Sequence, residues 1–534
     1  MNFNFIFSFI LLFCFINCLK DDSLNMNIYD ESSYCTTWSS SQYQTKTKNL
    51  PKLSFTNNSI RQIVHISTSG EKIRIKFTNK FGTSNLQILS ANIADSVSQG
   101  SGEIDLNTLT PLTFEGRQSV EIPPGEDIYS DTFSYNLKAL SEVAISIFFG
   151  SMPNEITGHS HSQTCSFLEE GNKIDIKKFS RDIRVTHWYV LSAVEVSSNP
   201  RKNAVICFGD SITDGHGSAN DIQGRWTDYF SEKLNQNKET SEVAVVNEGI
   251  RGNQLTVHGL SRYDSDVLKI KGATYIIVLF GVNDINSLNA TFNQVVDGYK
   301  KLIKKAHRNN MFIYGATILP YGRNTPWTQE RENIRQEINN WIRNSKSELG
   351  GFDAFIDFDK IMKDPNDEKN LLSEYDSGDG IHPNSKGYKA MVDAFNDLSI
   401  FAKEPNFNVY DYVEKIELMD KIGIKFKLDF NLEENEEVLI KVNGTGTSFG
   451  SNGFRILLTD EQEEKTSDYF YSGKIEKGQF EFVSNLKVKS ISKYITIRRP
   501  TSTINIDNII LNFIEVETKN NKKLFSPGED GTFL

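Results

Sequence analysis

The chain has 534 residues, 38% of them hydrophobic and 24% charged, with a formal net charge of −11. That length exceeds what one hydrophobic core serves, so two or three domains are expected. The acidic balance argues against a nucleic-acid partner and says little about a small-molecule substrate.

Met1 to Cys18 is almost wholly apolar, with Phe3, Phe5, Ile6, Phe7, Phe9 and Ile10 opening the run. It is shorter than the ~20 residues that cross a bilayer and reads as a secretory signal peptide over residues 1–18. Its amino end has no Lys or Arg, so an uncleaved anchor is the alternative. No other stretch is apolar and long enough to span a membrane, so cleavage is expected to leave a secreted, extracellular protein with no stable membrane anchor. Cys14 and Cys18 would leave with the signal, and Cys35, Cys165 and Cys207 would remain. Cys35 and Cys165 are a candidate pair in an oxidising compartment, whereas Cys207 reads as an inert buried thiol.

Residues 25–199 read as mostly β. Lys72 to Phe77 alternates polar and apolar, Val143 to Phe149 forms a second strand, and Phe81-Gly82 and Pro124-Gly125 supply turns. A β-sandwich or jelly-roll is expected. His159 and His161 form an H-x-H pair without a nearby third ligand, and the simplest reading is polar loop residues. Trp38 and Trp188 read as core.

From Ala204 the pattern changes to strand, then helix, repeatedly. Ala204 to Phe208, Val243 to Val246, Tyr275 to Phe280, Phe312 to Leu319 and Ala354 to Phe358 are apolar strands. Stripes such as Val295, Tyr299, Leu302 and Ala306 mark the helices between them. Alternation of this kind implies a parallel sheet with helices on both faces over residues 200–402. The first strand ends at Gly209-Asp210-Ser211, which presents a serine at the sheet's carboxyl edge, where open α/β sheets bind ligands. A hydroxyl nucleophile needs a base, and Asp379-Gly380-Ile381-His382 holds an imidazole and a carboxylate close enough for one loop to carry both. Asp210 and Asp214, beside Ser211, read as turn and helix-start residues. Tyr321, Asn324 and Trp327 follow the fourth strand and are candidates for lining the crevice.

The blocks G-D-S-I-T-D-G, N-E-G-I-R-G-N, G-V-N-D and D-G-I-H-P-N, in that order, resemble the SGNH (GDSL-type) esterase and acylhydrolase family. The resemblance implies a flavodoxin-like strand order, with Ser211 as nucleophile, His382 as general base and Asp379 as its orienting partner. It implies an oxyanion hole from the backbone N–H of Ser211, Gly252 and Asn283, with Gly249 as the other candidate glycine. Chemistry of this kind requires no metal or other cofactor. A β domain before the hydrolase also resembles a secreted subgroup of the family, some of whose members act on plant polysaccharide esters. The expected activity is hydrolysis of carboxylic esters through an acyl-enzyme, with acylated polysaccharide such as acetylated xylan as substrate. A lysophospholipase or general short-chain esterase is the rival within the class, and a non-catalytic glycan-binding protein the rival outside it.

Residues 405–517 return to β-alternation, as in Ile424 to Phe430, Val438 to Val442 and Ile504 to Leu511. The last run is similar to the closing strand of many carbohydrate-binding β-sandwich modules, and Tyr469, Phe470 and Tyr471 offer aromatic faces for sugars. A purely structural appendage is the alternative, since the segment has no Trp. Residues 518–534 read as a frayed tail. Asn57, Asn289 and Asn443 begin glycosylation sequons, which count only in a eukaryotic secretory route.

Overall fold

The computed structural model describes residues 31–181 and 183–407, and beyond them strand segments between 416 and 533. The expected signal peptide, with Cys14 and Cys18, lies outside the described residues, as do the side chains of Tyr469, Phe470 and Tyr471.

The centre of the chain is a five-stranded sheet in the order Ala244–Gly249, Ala204–Gly209, Ala273–Leu279, Phe312–Ala316, Ala354–Ile356, with every pairing parallel. The first strand therefore sits second, and the chain reverses direction across the sheet beside it, which puts a crevice at its carboxyl end. The strands are largely apolar because helices cover both faces, with Asn247 and Glu248 the polar exceptions near the end of Ala244–Gly249. Their alternate residues part cleanly. Val205 and Cys207 face Trp226, Phe230 and Tyr388, whereas Ile206 and Phe208 share a core with Tyr263, Tyr299 and Leu302. The last two strands are shorter than their apolar runs, because Thr317 leaves the ladder and Phe358 begins a helix, Phe358–Met362.

Before this sheet, residues 34–197 form antiparallel sheets of five, seven and three strands. Tyr34–Ser39, at the rim of the five-stranded one, lies along the parallel sheet's edge strand Ala244–Gly249. Ser67 Oγ accepts from Val245 N at 3.0 Å, and Thr36 N donates to Lys271 O at 2.9 Å. The side-chain hydroxyls of Ser39 and Ser41 both donate to the carboxylate of Glu248, which is buried in this seam. Trp38 and Trp188 are core residues as expected, packed edge to face at 5.0 Å.

Two expectations change here. Cys35 and Cys165 do not pair with each other: both are buried, Cys35 in the core shared with the parallel sheet and Cys165 in a separate cluster with Phe167 and Phe179. Their sequence positions bracket a domain, but the sheets hold them in different cores. Past Glu517, where composition reads as a tail, Lys522–Phe525 pairs with Ile509–Glu517 and Gly531–Phe533 pairs with Gly423–Leu432. Edge pairing needs backbone groups more than apolar side chains, so short polar segments of this kind escape a hydrophobic pattern.

Burial dominates the Glu248 carboxyl and, with Asp266 nearby, pushes it up to about 7 despite its two serine donors. A raised native value means the folded chain binds this proton more tightly than the unfolded one, so stability is lost as pH rises through that value. Glu248→Gln removes the dependence. Between about pH 5 and pH 8 the stability difference should move in the variant's favour by on the order of 1–3 kcal/mol, as read by urea denaturation. Parallel pH curves for variant and wild type would show that this carboxyl does not titrate in the seam.

Candidate active site

The turn after the first parallel strand sets the geometry. Asp210 caps a one-turn helix, Ser211–Asp214, by accepting from Ile212 N at 3.0 Å, so Ser211 is that helix's first residue. Its backbone N–H has no intrahelical partner to meet, as at every helix start. Gly249 fits beneath this turn because a Cβ there would lie 2.2 Å from Asp214 N. No larger residue is compatible with that approach.

Ser211 Oγ lies 2.8 Å from His382 Nε2, and His382 Nδ1 lies 2.6 Å from Asp379 Oδ2. With Nδ1–H donated to the carboxylate, Nε2 carries the lone pair and can accept a hydrogen bond from the serine hydroxyl. Asp379 also accepts from the backbone N–H of Ile381 (3.1 Å) and His382 (2.9 Å), which folds the loop around its own carboxylate. Asn384 then caps the helix Ser385–Met391 and donates to Glu374 O and Asp376 O, so the loop is pinned at both ends.

Burial lowers the affinity of His382 for a proton, Asp379 raises it, and burial prevails, leaving the imidazole below its usual value. Burial pushes the Asp379 carboxyl up, but its N–H donors and His382 outweigh this and hold it below the ordinary carboxylate range. The pair thus stays a neutral imidazole on a carboxylate at neutral pH. Asp210 behaves oppositely, since burial, with Asp284 adding to it, lifts its carboxyl to about 7. It serves as cap and spacer.

The oxyanion candidates separate on the same evidence. Gly249 N already donates to Asn247 Oδ1 at 2.9 Å and packs under the turn. Gly252 has a left-handed φ of +75° that favours glycine, and it lines an open cleft of about 670 Å³. Asn283 Nδ2 donates to Asp210 Oδ2 (3.3 Å) and Asn253 O (3.1 Å), so its amide is held against the serine turn by two long bonds. Asp284, next in the same block, accepts from the backbone of Leu255 and Thr256 and fixes the loop that follows Gly252.

Several residues at the site were not read from the sequence as part of it. His216 packs edge-on against His382 with centroids 4.3 Å apart, and burial, then Arg251 and His382, hold its imidazole down to about 4. Arg262 donates to Gly209 O (2.8 Å), Glu248 O (2.9 Å) and Asn253 Oδ1 (2.8 Å), so it ties together the ends of two strands and the Gly252 loop. His159 is not a loop residue. It lies in the strand Thr157–Ser160, buried, with Nε2 2.9 Å from Asp214 Oδ1 and Nδ1 2.7 Å from Ser41 O. His161 stands near His187 with ring centroids 5.7 Å apart, so the H-x-H pair splits between two settings. Of the crevice candidates, Tyr321 is fully buried, while Asn324 Nδ2 donates to Asp379 O at 3.0 Å and so braces the histidine loop. Among the described residues, His216, Asp379 and His382 form the group close enough to share a metal ion, with donor atoms within 4.8 Å of one another. Two of the three already bond each other.

The sequence pattern of the GDSL-like Lipase/Acylhydrolase family matches residues 207–390, which include the serine turn, the Gly252 loop, Asn283 and the histidine loop. This part of the chain is a GDSL-like lipase/acylhydrolase domain. The protein is accordingly a hydrolase, of the SGNH esterase type. Solved structures similar to the GDSL-like domain include a protein from Desulfitobacterium hafniense assigned to the lipolytic G-D-S-L family, at 24% identity over 36% of this chain and 97% of its own, with a TM-score of 0.30. A GDSL-like lipase from Bacteroides thetaiotaomicron aligns at 20% identity over 36% and 85%, with a TM-score of 0.28. The acetyl xylan esterase AlAXEase aligns at 23% identity over 36% and 96%, with a TM-score of 0.29. No curated protein matches the chain.

If His382 must be neutral to accept a proton, the acid limb of kcat/KM for an activated ester falls below the ordinary histidine value of about 6.5. Asp379→Asn removes the group that favours the imidazolium, so that limb should move further down. The rate at neutral pH should fall by about 10²–10⁴. An unchanged pH–rate profile in this variant would separate Asp379 from the histidine's titration.

Proposed function

We propose that the protein is a secreted serine esterase that hydrolyses carboxylic esters through Ser211, His382 and Asp379, and that its substrates are acylated polysaccharides, acetylated xylan among them. The carrying observation is the continuous hydrogen-bonded chain from Ser211 Oγ through the imidazole to the Asp379 carboxylate. His382 Nε2 takes the hydroxyl proton as Oγ bonds to the ester carbonyl carbon, and Asp379 stabilises the imidazolium. The N–H groups of Ser211 and Gly252 and the Asn283 amide receive the negative oxygen, the amide exchanging one of its long protein contacts for a charged partner. As the carbon–oxygen bond to the alcohol breaks, His382 returns its proton to the leaving oxygen. The same nitrogen then takes a proton from water as it attacks the acyl-serine, and returns that proton to Ser211 Oγ as the acyl–oxygen bond breaks and the acid leaves.

The polysaccharide reading is supported by the breadth of the cleft beside Gly252, about 670 Å³, to which strands of residues 34–197 and the GDSL-like domain both contribute walls. A wide wall of this kind suits a polymer bearing short acyl groups better than a single acyl chain. Export is supported by the apolar run from Phe3 to Ile16.

Purified full-length protein and Ser211→Ala should be compared on acetylated xylan, a nitrophenyl acetate and a lysophospholipid. Acetate release from the first two, reduced at least ~10³-fold in the variant, is the expected result. Preference for the lysophospholipid would replace the polysaccharide reading with the lipid one. Equal rates for variant and wild type would remove Ser211 from the mechanism.

A further inference from the structure

The cleft next to Gly252 has an electrical character opposite to that of the chain as a whole. The protein carries a formal charge of −11, yet Lys46, Lys48, Lys80, Arg251 and Arg262 line this space against one carboxylate, Asp266. Asp266 is already engaged, 3.1 Å from Arg262 and 3.9 Å from Lys80. Arg262 is also consumed, by the carbonyls of Gly209 and Glu248. Among the described residues no carboxylate lies within ion-pair distance of Lys46 or Lys48, and both are exposed on the wall supplied by residues 34–197. Arg251, from the GDSL-like domain, also lines the cleft, held by Gln163 at 3.2 Å and by Asp214 at 3.5 Å. Screening confines each charge's reach to about 8 Å at physiological salt, so a bound molecule responds to these local cations rather than to the distant net charge.

The cleft's remaining surface bears on which anion fits. Its large apolar contributors are the rings of Tyr43 and Phe81 and the side chain of Ile250, set among the cations and the hydroxyls of Ser160, Ser261 and Ser265. Aromatic faces among polar and cationic groups suit sugar rings. We propose that this cleft is a subsite for a carboxylate-bearing glycan, in which Lys46, Lys48 and Lys80 take successive uronate carboxylates while an O-acyl group on the same chain passes Gly252 to Ser211. The subsite rests on the esterase reading for its purpose but not for its binding chemistry. Within the polysaccharide esters it narrows the substrate class to acidic ones, O-acetylated polyuronides above neutral acetylated xylan.

Binding is tested first, on full-length Ser211→Ala, by titration calorimetry with a galacturonate oligomer, a neutral xylo-oligosaccharide and lysophosphatidylglycerol. The expected result is binding of the galacturonate oligomer at least about tenfold tighter than the xylo-oligosaccharide, weakening as salt rises. Lys46→Glu/Lys48→Glu should abolish that preference while circular dichroism and the melting transition remain as in the parent. The second arm compares wild-type kcat/KM on O-acetylated polygalacturonate and acetylated xylan, where the same double substitution should lower the ratio of the two about tenfold or more. Equal binding of the charged and neutral oligomers overturns the subsite, as does tighter binding of the lysolipid. Carboxylate-selective binding without ester hydrolysis by the wild type upholds the subsite and overturns the esterase reading instead, so the two failures are distinguishable.

Discussion

The Arg262 guanidinium is the contact on which the arrangement at the sheet's edge depends. Its hydrogen-bond donors reach the carbonyl of Gly209, the carbonyl of Glu248, the side chain of Asn253 and the hydroxyl of Ser41, and it stacks 4.4 Å over the ring of Phe208. Those partners belong to the strand that ends before Ser211, the strand that ends before Gly252, the loop just after Gly252, and the antiparallel sheets. A planar, permanently charged fork with five donors can hold several backbone acceptors at fixed angles, which a lysine cannot. Asp266, 3.1 Å away, supplies the opposite charge that a buried guanidinium requires.

Around that anchor the environment sorts the ionisable groups by what surrounds each one. Asp210 and Glu248 are buried with few compensating cations and are driven toward protonation, whereas Asp379, folded onto backbone N–H groups, stays ionised. His382 and His216 are both held toward the neutral form by burial, with Arg251 acting in the same direction on each. The carboxylate charge is thus localised on the outer member of the serine–histidine–aspartate chain, and the imidazole between them is left with a free lone pair.

Much of this was readable in the amino-acid sequence, for reasons that differ by element. The five parallel strands are mostly apolar runs, and three of them lead into Gly, Asn or Asp, so period and punctuation located the strands and the rim they share. Ser211, Asp379 and His382 were legible because their short-range context is specific, and the structure brings the three together. His159, His216 and Arg262 were not, because their meaning lies in partners far along the chain. His159 meets Asp214 across 55 positions and Arg262 meets Gly209 across 53. A histidine two residues from another carries no local sign that one will be buried on a strand and the other exposed to a cleft. The separation of Cys35 from Cys165 was hidden for the same reason, since distance along the sequence does not say which core receives each side chain.

Asp214 closes the short helix that Ser211 opens, and its carboxylate is shared between His159 from the antiparallel sheets and Arg251 from the Gly252 loop. The functional unit is therefore larger than the stretch that family membership delimits. A gene fragment covering only residues 207–390 would keep every motif residue yet lose the imidazole that braces the Ser211 turn and the lysines that line the cleft with Arg251. Homology marks the machinery here, while the frame that aims it is written in the two hundred residues before it.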